Sequence, residues 1–284
     1  MKKWIVITIT IILFFAVLFA GMAITESLRP SPPKSGFYKN GLHLGYYIEW
    51  EADTMKGPVE GKGFLTLKVI EDKIKINVTI PHFYPSGKDL YRNVILTHKG
   101  DNIIYKGERV ILPFFYAGGK TVSYYRESYV NVSSKEVGLT NMQGGIINFQ
   151  PVYYLYTTEC IRYPNGTVWS EGAPATYEYG RNTNLLFFIN SPIGWDPVID
   201  FLLNLTYPEE MPNGTVFNHY IHFGLSLHTT NIDLGPVDYF AVILTFIMMA
   251  LPILILIGIP LIIIGIYRVV KNRRGSNEKY NRGE

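Results

Sequence analysis

From Tyr239 to Tyr267 the chain runs for 29 residues without a charged side chain, then meets Arg268, Lys271, Arg273 and Arg274. A helix rising 1.5 Å per residue makes this run about 43 Å long, against a bilayer hydrocarbon core of about 30 Å. Inside lipid the backbone must satisfy its own hydrogen bonds, so such a run is expected as a helix. The sequence therefore predicts a transmembrane helix over 238–267 and, because Lys and Arg are retained on the inner side, a cytoplasmic tail over 268–284. Pro252, Gly258, Pro260 and Gly265 interrupt the span. Two readings stay open for them: small residues that let a partner helix approach, or residues that membrane spans simply tolerate.

The start of the chain repeats the theme. Lys2 and Lys3 precede Trp4 to Ile24, which is apolar apart from Thr8 and Thr10. Segment 1–28 reads as an uncleaved signal anchor or as a signal peptide ending at Gly21-Met22-Ala23; its length favours the anchor. Either way the middle of the chain is exported. Charge agrees, since the tail carries +4 while Ser27 to Pro236 carries −1. The basic pI comes from the ends and reports topology, so it indicates no nucleic-acid surface.

Five Asn-X-Ser/Thr sequons, at Asn77, Asn131, Asn165, Asn204 and Asn213, all lie between the apolar runs. They are candidate glycosylation sites, although Thr-rich strands beside Asn turns also generate the pattern. Cys160 is the sole cysteine, so the exported part has no internal disulfide. A domain of about 200 residues can bury enough surface without one. This argues for a prokaryotic or archaeal envelope protein over an animal cell-surface receptor.

Arg29 to Gly36, with prolines at 30, 32 and 33, reads as a semi-rigid linker over 29–36. Beyond it, 37–233 reads as β. Ile74, Ile76, Val78 and Ile80 alternate with Lys73, Lys75, Asn77 and Thr79, and Leu65, Leu67 and Val69 precede them across a Glu71-Asp72 turn. Phe217, Ile221, Phe223, Leu225 and Leu227 share one parity in what reads as a second half-buried strand. Asn40-Gly41, Asn165-Gly166 and Asn213-Gly214 suggest type I′ turns. Two of them sit in similar hexamers, Pro164 to Trp169 and Pro212 to Phe217. Asp196-Pro197 suits the start of a short helix, while Phe201, Leu203, Leu205 and Tyr207 alternate as in a strand. The fold class expected is mainly β: an extracytoplasmic antiparallel β-sandwich or partly closed barrel flanked by two hydrophobic membrane helices.

Candidate chemistry is sparse. His219 and His222 would point to opposite faces of a strand, and His222 and His228 would lie about 20 Å apart, so no metal site is expected. Tyr156-Thr157-Thr158-Glu159-Cys160, with His98 62 residues upstream, resembles the nucleophile strand of membrane-tethered cysteine transpeptidases of the sortase type. The resemblance would imply a Cys160–His98 pair. It also asks for an Arg shortly after the Cys, and Tyr163 to Gly180 contains none. Cys160 reads better as a structural thiol. Eighteen Tyr lie in the exported part, with the pairs Tyr46-Tyr47, Tyr124-Tyr125 and Tyr153-Tyr154 each placing one ring on either face of a strand. Outward rings suit protein or glycan partners. The expected role is binding or scaffolding in a cell-envelope complex, without a cofactor, the partners being the bilayer, another membrane or envelope protein, and a glycan.

Overall fold

The computed structural model describes residues 2–29, 31–54, 57–83, 87–140, 149–170, 175–192, 207–210, 216–219 and 221–238, with single helical positions at 198, 201, 202, 242, 243, 247, 264 and 267. The chain divides into two units: Met1–Ile24 with Tyr239–Glu284, and Thr25–Asp238.

α1 (Lys2–Ser27) is one 26-residue helix, of which the residues up to Ile24 belong to the first unit. It has no proline to break it, and its described apolar side chains, Phe14, Phe15, Val17 and Phe19 among them, are exposed apart from half-buried Leu18. Among the described residues no helix is long and apolar enough to cross a membrane. Val242, Ile243, Ile247, Ile264 and Tyr267 are helical. Pro252, Gly258, Pro260, Gly265 and the basic tail lie outside the described residues.

The second unit is built from strands in chain order: β1 (His43–Thr54), β2 (Gly57–Ile70), β3 (Lys73–Phe83), β4 (Lys88–Lys99), β5 (Asn102–Tyr105), β6 (Glu108–Ile111), β7 (Thr121–Tyr125), β8 (Ser128–Leu139), β9 (Pro151–Arg162), β10 (Val168–Ser170), β11 (Ala175–Gly180), β12 (Leu186–Pro192), β13 (Tyr207–Glu210), β14 (Val216–His219) and β15 (Ile221–Thr230). Twelve of them form a ring, β9-β11-β12-β15-β1-β2-β3-β4-β5-β6-β7-β8, which the β8–β9 pairing closes. Neighbours are antiparallel throughout, and β10 adds to β9 at the rim. Of the two arrangements expected, the sandwich gives way to a barrel, and the barrel is closed. Closure pairs the edges that an open sheet would leave as unsatisfied backbone.

The expected period of two sets the wall. Leu65, Leu67 and Val69 on β2 and Ile74, Ile76, Val78 and Ile80 on β3 are buried, and Glu71-Asp72 turns between them. Tyr46 is 1% exposed and its neighbour Tyr47 39%, as alternate faces require. The interior is filled by large rings, including Tyr46, Phe114, Tyr177, Tyr179, Phe187 and Phe223.

One expectation changes. The run from Phe217 to His228 is not one strand. Phe217 lies in β14, which among the described residues pairs with β13 in a separate two-stranded sheet, while Phe223, Leu225 and Leu227 line the barrel on β15. Periodicity carries across a break in pairing, so it could not show this one. For the stretch left open between helix and strand, Val198, Phe201 and Leu202 are helical, with Val198 and Leu202 buried four residues apart on one face, Tyr207 begins β13, and Leu203 and Leu205 lie outside the described residues. Phe201 packs its ring 4.5 Å from both Tyr105 and Tyr125.

Candidate functional site

The two ends of the barrel unit meet at one place on its rim. The Glu26 carboxylate accepts from Arg29 Nε at 2.9 Å and from Arg181, which lies in the turn after β11. Burial pulls the Glu26 carboxyl upward, but the hydrogen bonds from Arg181 and Arg29 outweigh it and hold the group below its ordinary value. Arg29 also donates to Asn182 Oδ1 at 3.2 Å and lies 3.7 Å from the Asp238 carboxylate. Asn182 turns its amide the other way, donating to the carbonyls of Leu234 (3.0 Å) and Pro236 (3.4 Å). Gly235 has φ +74°, and a Cβ there would lie 2.9 Å from Asn182 Nδ2, so the close approach requires glycine. Residues 26–29 and 234–238 are thus bolted to the same turn. The Pro-rich stretch joins them, with Asn184 donating to Pro33 O at 2.9 Å and Asp101 accepting from the amides of Gly36 and Phe37.

A second feature lies on the outer wall of β6 to β9. Register aligns Ile111 with Tyr124, Tyr124 with Tyr129, and Tyr129 with Cys160, one row across four strands in which the first three are half-buried and Cys160 is buried. Beside it, at the β7–β8 turn, stand Arg109, Arg126 and Arg162. Together these residues, without Cys160, line an open trough of about 450 Å³ with Thr121 and Glu127. Arg126 is held by Glu108, Nε to Oε2 3.2 Å, and lies over the Tyr125 ring. Among the described residues, Arg109 and Arg162 have no carboxylate partner within 4 Å. The signal for this trough was present in the sequence as Tyr124 and Arg126 at strand spacing, but its other members come from distant segments. Another outward trough, of about 490 Å³, lies over Gly224 and is lined by Glu49, Glu51, Glu60, Lys62, Asn190 and His222; there Lys62 pairs with Glu49 at 3.4 Å.

Residues singled out from sequence are dispersed. Cys160 is buried and free, and accepts at 3.9 Å from Asn131 Nδ2. His98 is half-buried on β4, with its ring nitrogens 3.0 Å from Gly100 O and 3.1 Å from Glu71 O. Strands β5 to β8 separate β4 from β9 along that side of the ring, so the structure does not assemble a Cys160–His98 pair. The matching sequence separation is therefore not matched by a shared site. Cys160 should resist alkylation by a small thiol reagent in the native protein and react at least ~100-fold faster in denaturant, because burial keeps the reagent from the thiolate. Equal rates would mean an accessible thiol.

Asn77 is exposed on the outer face of β3. Asn131 is half-buried, its amide engaged with Cys160 and with Thr121 Oγ1. Asn165 sits in the exposed β9–β10 turn, where its Oδ1 accepts from Thr167 N at 3.0 Å. Only Gly166 of that turn has positive φ, so it is a three-residue loop with Gly in the left-handed position and not the expected type I′ turn. Asn40-Gly41 precedes β1 and is held by Val69 O, so it joins no hairpin. Asn204, Asn213 and the second hexamer's turn lie outside the described residues. His222 and His228 are exposed, the latter against the Tyr47 ring, and no group of three metal-ligating side chains occurs among the described residues.

No family model matches the chain, and no curated protein matches it in sequence. One solved structure similar to it is the crystal structure of a domain assigned to outer membrane lipoprotein sorting, from Vibrio parahaemolyticus. It covers 70% of this chain and 88% of that chain, at 10% identity and a TM-score of 0.23. An overlap that low carries no argument about function.

Proposed function

We propose that this chain is a membrane-anchored, extracytoplasmic β-barrel that acts as a binding or scaffolding subunit in the cell envelope. The observation behind the reading is the rim juncture of Glu26, Arg29, Arg181, Asn182 and Asp238. Both connections to the apolar segments leave the barrel there. A domain tethered at one point presents the rest of its wall to partners, and such a tether fits both apolar segments serving as membrane spans. The closed, ring-filled interior leaves the outer wall as the surface for binding. The expected partners are the bilayer, another membrane or envelope protein, and a glycan.

Topology is the test. Protease added outside sealed cells should digest Phe37 to Asn231, while a tag after Glu284 stays protected, as the cluster from Arg268 to Arg274 requires. A tag digested from outside would overturn the orientation and the extracytoplasmic role with it.

A further inference from the structure

We infer that the outer wall of β6 to β9 binds an acidic saccharide, a sugar chain bearing carboxylates, through Arg109, Arg162 and the side chains of Tyr124 and Tyr129. The inference deepens the binding role proposed above and rests on it.

Three arrangements carry it. First, the guanidinium groups of Arg109 and Arg162 line the trough without a carboxylate partner among the described residues, and a guanidinium fork matches a carboxylate with two parallel hydrogen bonds. Second, the cations are spaced. Arg109 is on β6 and Arg162 on β9, three strand intervals or about 14 Å apart across the sheet. Between them lie Arg126, already held by Glu108, and Glu127, whose carbonyl accepts from Arg162 N at 2.9 Å. The five charged groups sum to +1. A single small anion would gain little there, and a densely charged chain would meet Glu127. A chain with separated carboxylates can set one on each end arginine and leave Glu127 unopposed. Third, Tyr124 and Tyr129 form the middle of the row below, both half-buried. Aromatic rings offer an apolar face with a polar tip, suited to the apolar faces and hydroxyl rims of sugars. At about 450 Å³ the trough is within the usual range for ligand sites.

The test uses the full chain in mild detergent and a galacturonate hexamer as probe, followed by calorimetry. A neutral galactose hexamer and polyphosphate serve as comparison probes. The hexuronate should bind, and its affinity should fall as salt is raised. Arg109→Gln with Arg162→Gln should weaken it at least tenfold. Arg109→Lys with Arg162→Lys, which keeps charge but loses the fork, should fall between. Lys62→Gln, in the other trough, should change nothing. Both arginines are exposed, so circular dichroism should show the variants folded. Equal binding of the neutral hexamer, tighter binding of polyphosphate, no binding of the hexuronate, or unchanged affinity in the glutamine variant would each overturn the assignment. The protease test stands apart, so a protected tag with no saccharide binding would overturn this site and leave the tethered barrel intact.

Discussion

Tyr179→Ala is expected to destabilise the barrel by about 4 kcal/mol, the usual cost of removing a buried aromatic side chain. Tyr179 is fully buried on β11, its ring 5.5 Å from Tyr116 and 6.2 Å from Tyr177. Its hydroxyl donates to Pro113 O at 2.6 Å, which ties β11 to the connection between β6 and β7. Truncation would leave a cavity at the centre of the aromatic interior and an unsatisfied carbonyl beside it. Tyr179→Phe keeps the ring and loses only the hydrogen bond, so it should cost about 1–3 kcal/mol. For a domain of this size about 2–4 °C accompanies each kcal/mol, so the alanine variant should melt about 10 °C lower. Near-ultraviolet circular dichroism of the full chain in detergent would follow it. A loss under about 1 kcal/mol for the alanine variant would mean that Tyr179 does not pack as described. Arg181 and Asn182 follow two and three residues later, so the same packing holds the turn to which both chain ends are bolted.

Glu178→Gln should stabilise the protein above neutral pH and leave it unchanged in acid. Glu178 is 7% exposed on β11, and burial pushes its carboxyl up to about 7. The folded state therefore holds a proton that the unfolded state, with a carboxyl near 4.5, has released. Stability is fully present below about pH 4.5, falls as pH rises towards 7, and levels off above. A neutral amide at this position has no charge to form and escapes that loss. The gap between variant and wild type should grow from nothing at about pH 4 to about 2 kcal/mol at about pH 8, after allowing for the part of the carboxyl that remains solvated. Tyr154, opposite Glu178 in the ladder, is pushed up to about 12, first by burial and then by the Glu178 charge. Denaturant unfolding at several pH values would measure the gap; a gap that does not change with pH would show that Glu178 is not buried as a neutral acid.

The strand from Lys73 to Phe83 was legible because its alternation is local: each apolar residue announces its face two positions from the next. The same holds for Tyr46 and Tyr47. Closure was not legible. It depends on β8 pairing with β9, and from Ser133 to Glu136 β8 is exposed and polar, without an apolar face to announce its place in a core. Nor does a period of two name the partner strand, which is why Phe217 reads in phase with Phe223 yet pairs elsewhere. The trough shows the same division. Tyr124 and Arg126 could be set on one face from their spacing, but only register across β6 to β9 brings Arg109 and Arg162 to them.

By itself, then, the sequence determined the β class, the inward and outward faces of its clearest strands, and the confinement of charge-free runs to the two ends, because each depends on residues within a few positions of one another. Tertiary structure alone decided that the sheet closes into a twelve-strand ring, that Cys160 and His98 stand strands apart, and that Glu26, Arg29 and Asp238 converge on one turn. Those are pairings between segments up to about two hundred residues apart. Many registers would satisfy the same local pattern, and the native one is selected by burial and hydrogen bonding summed over the whole barrel.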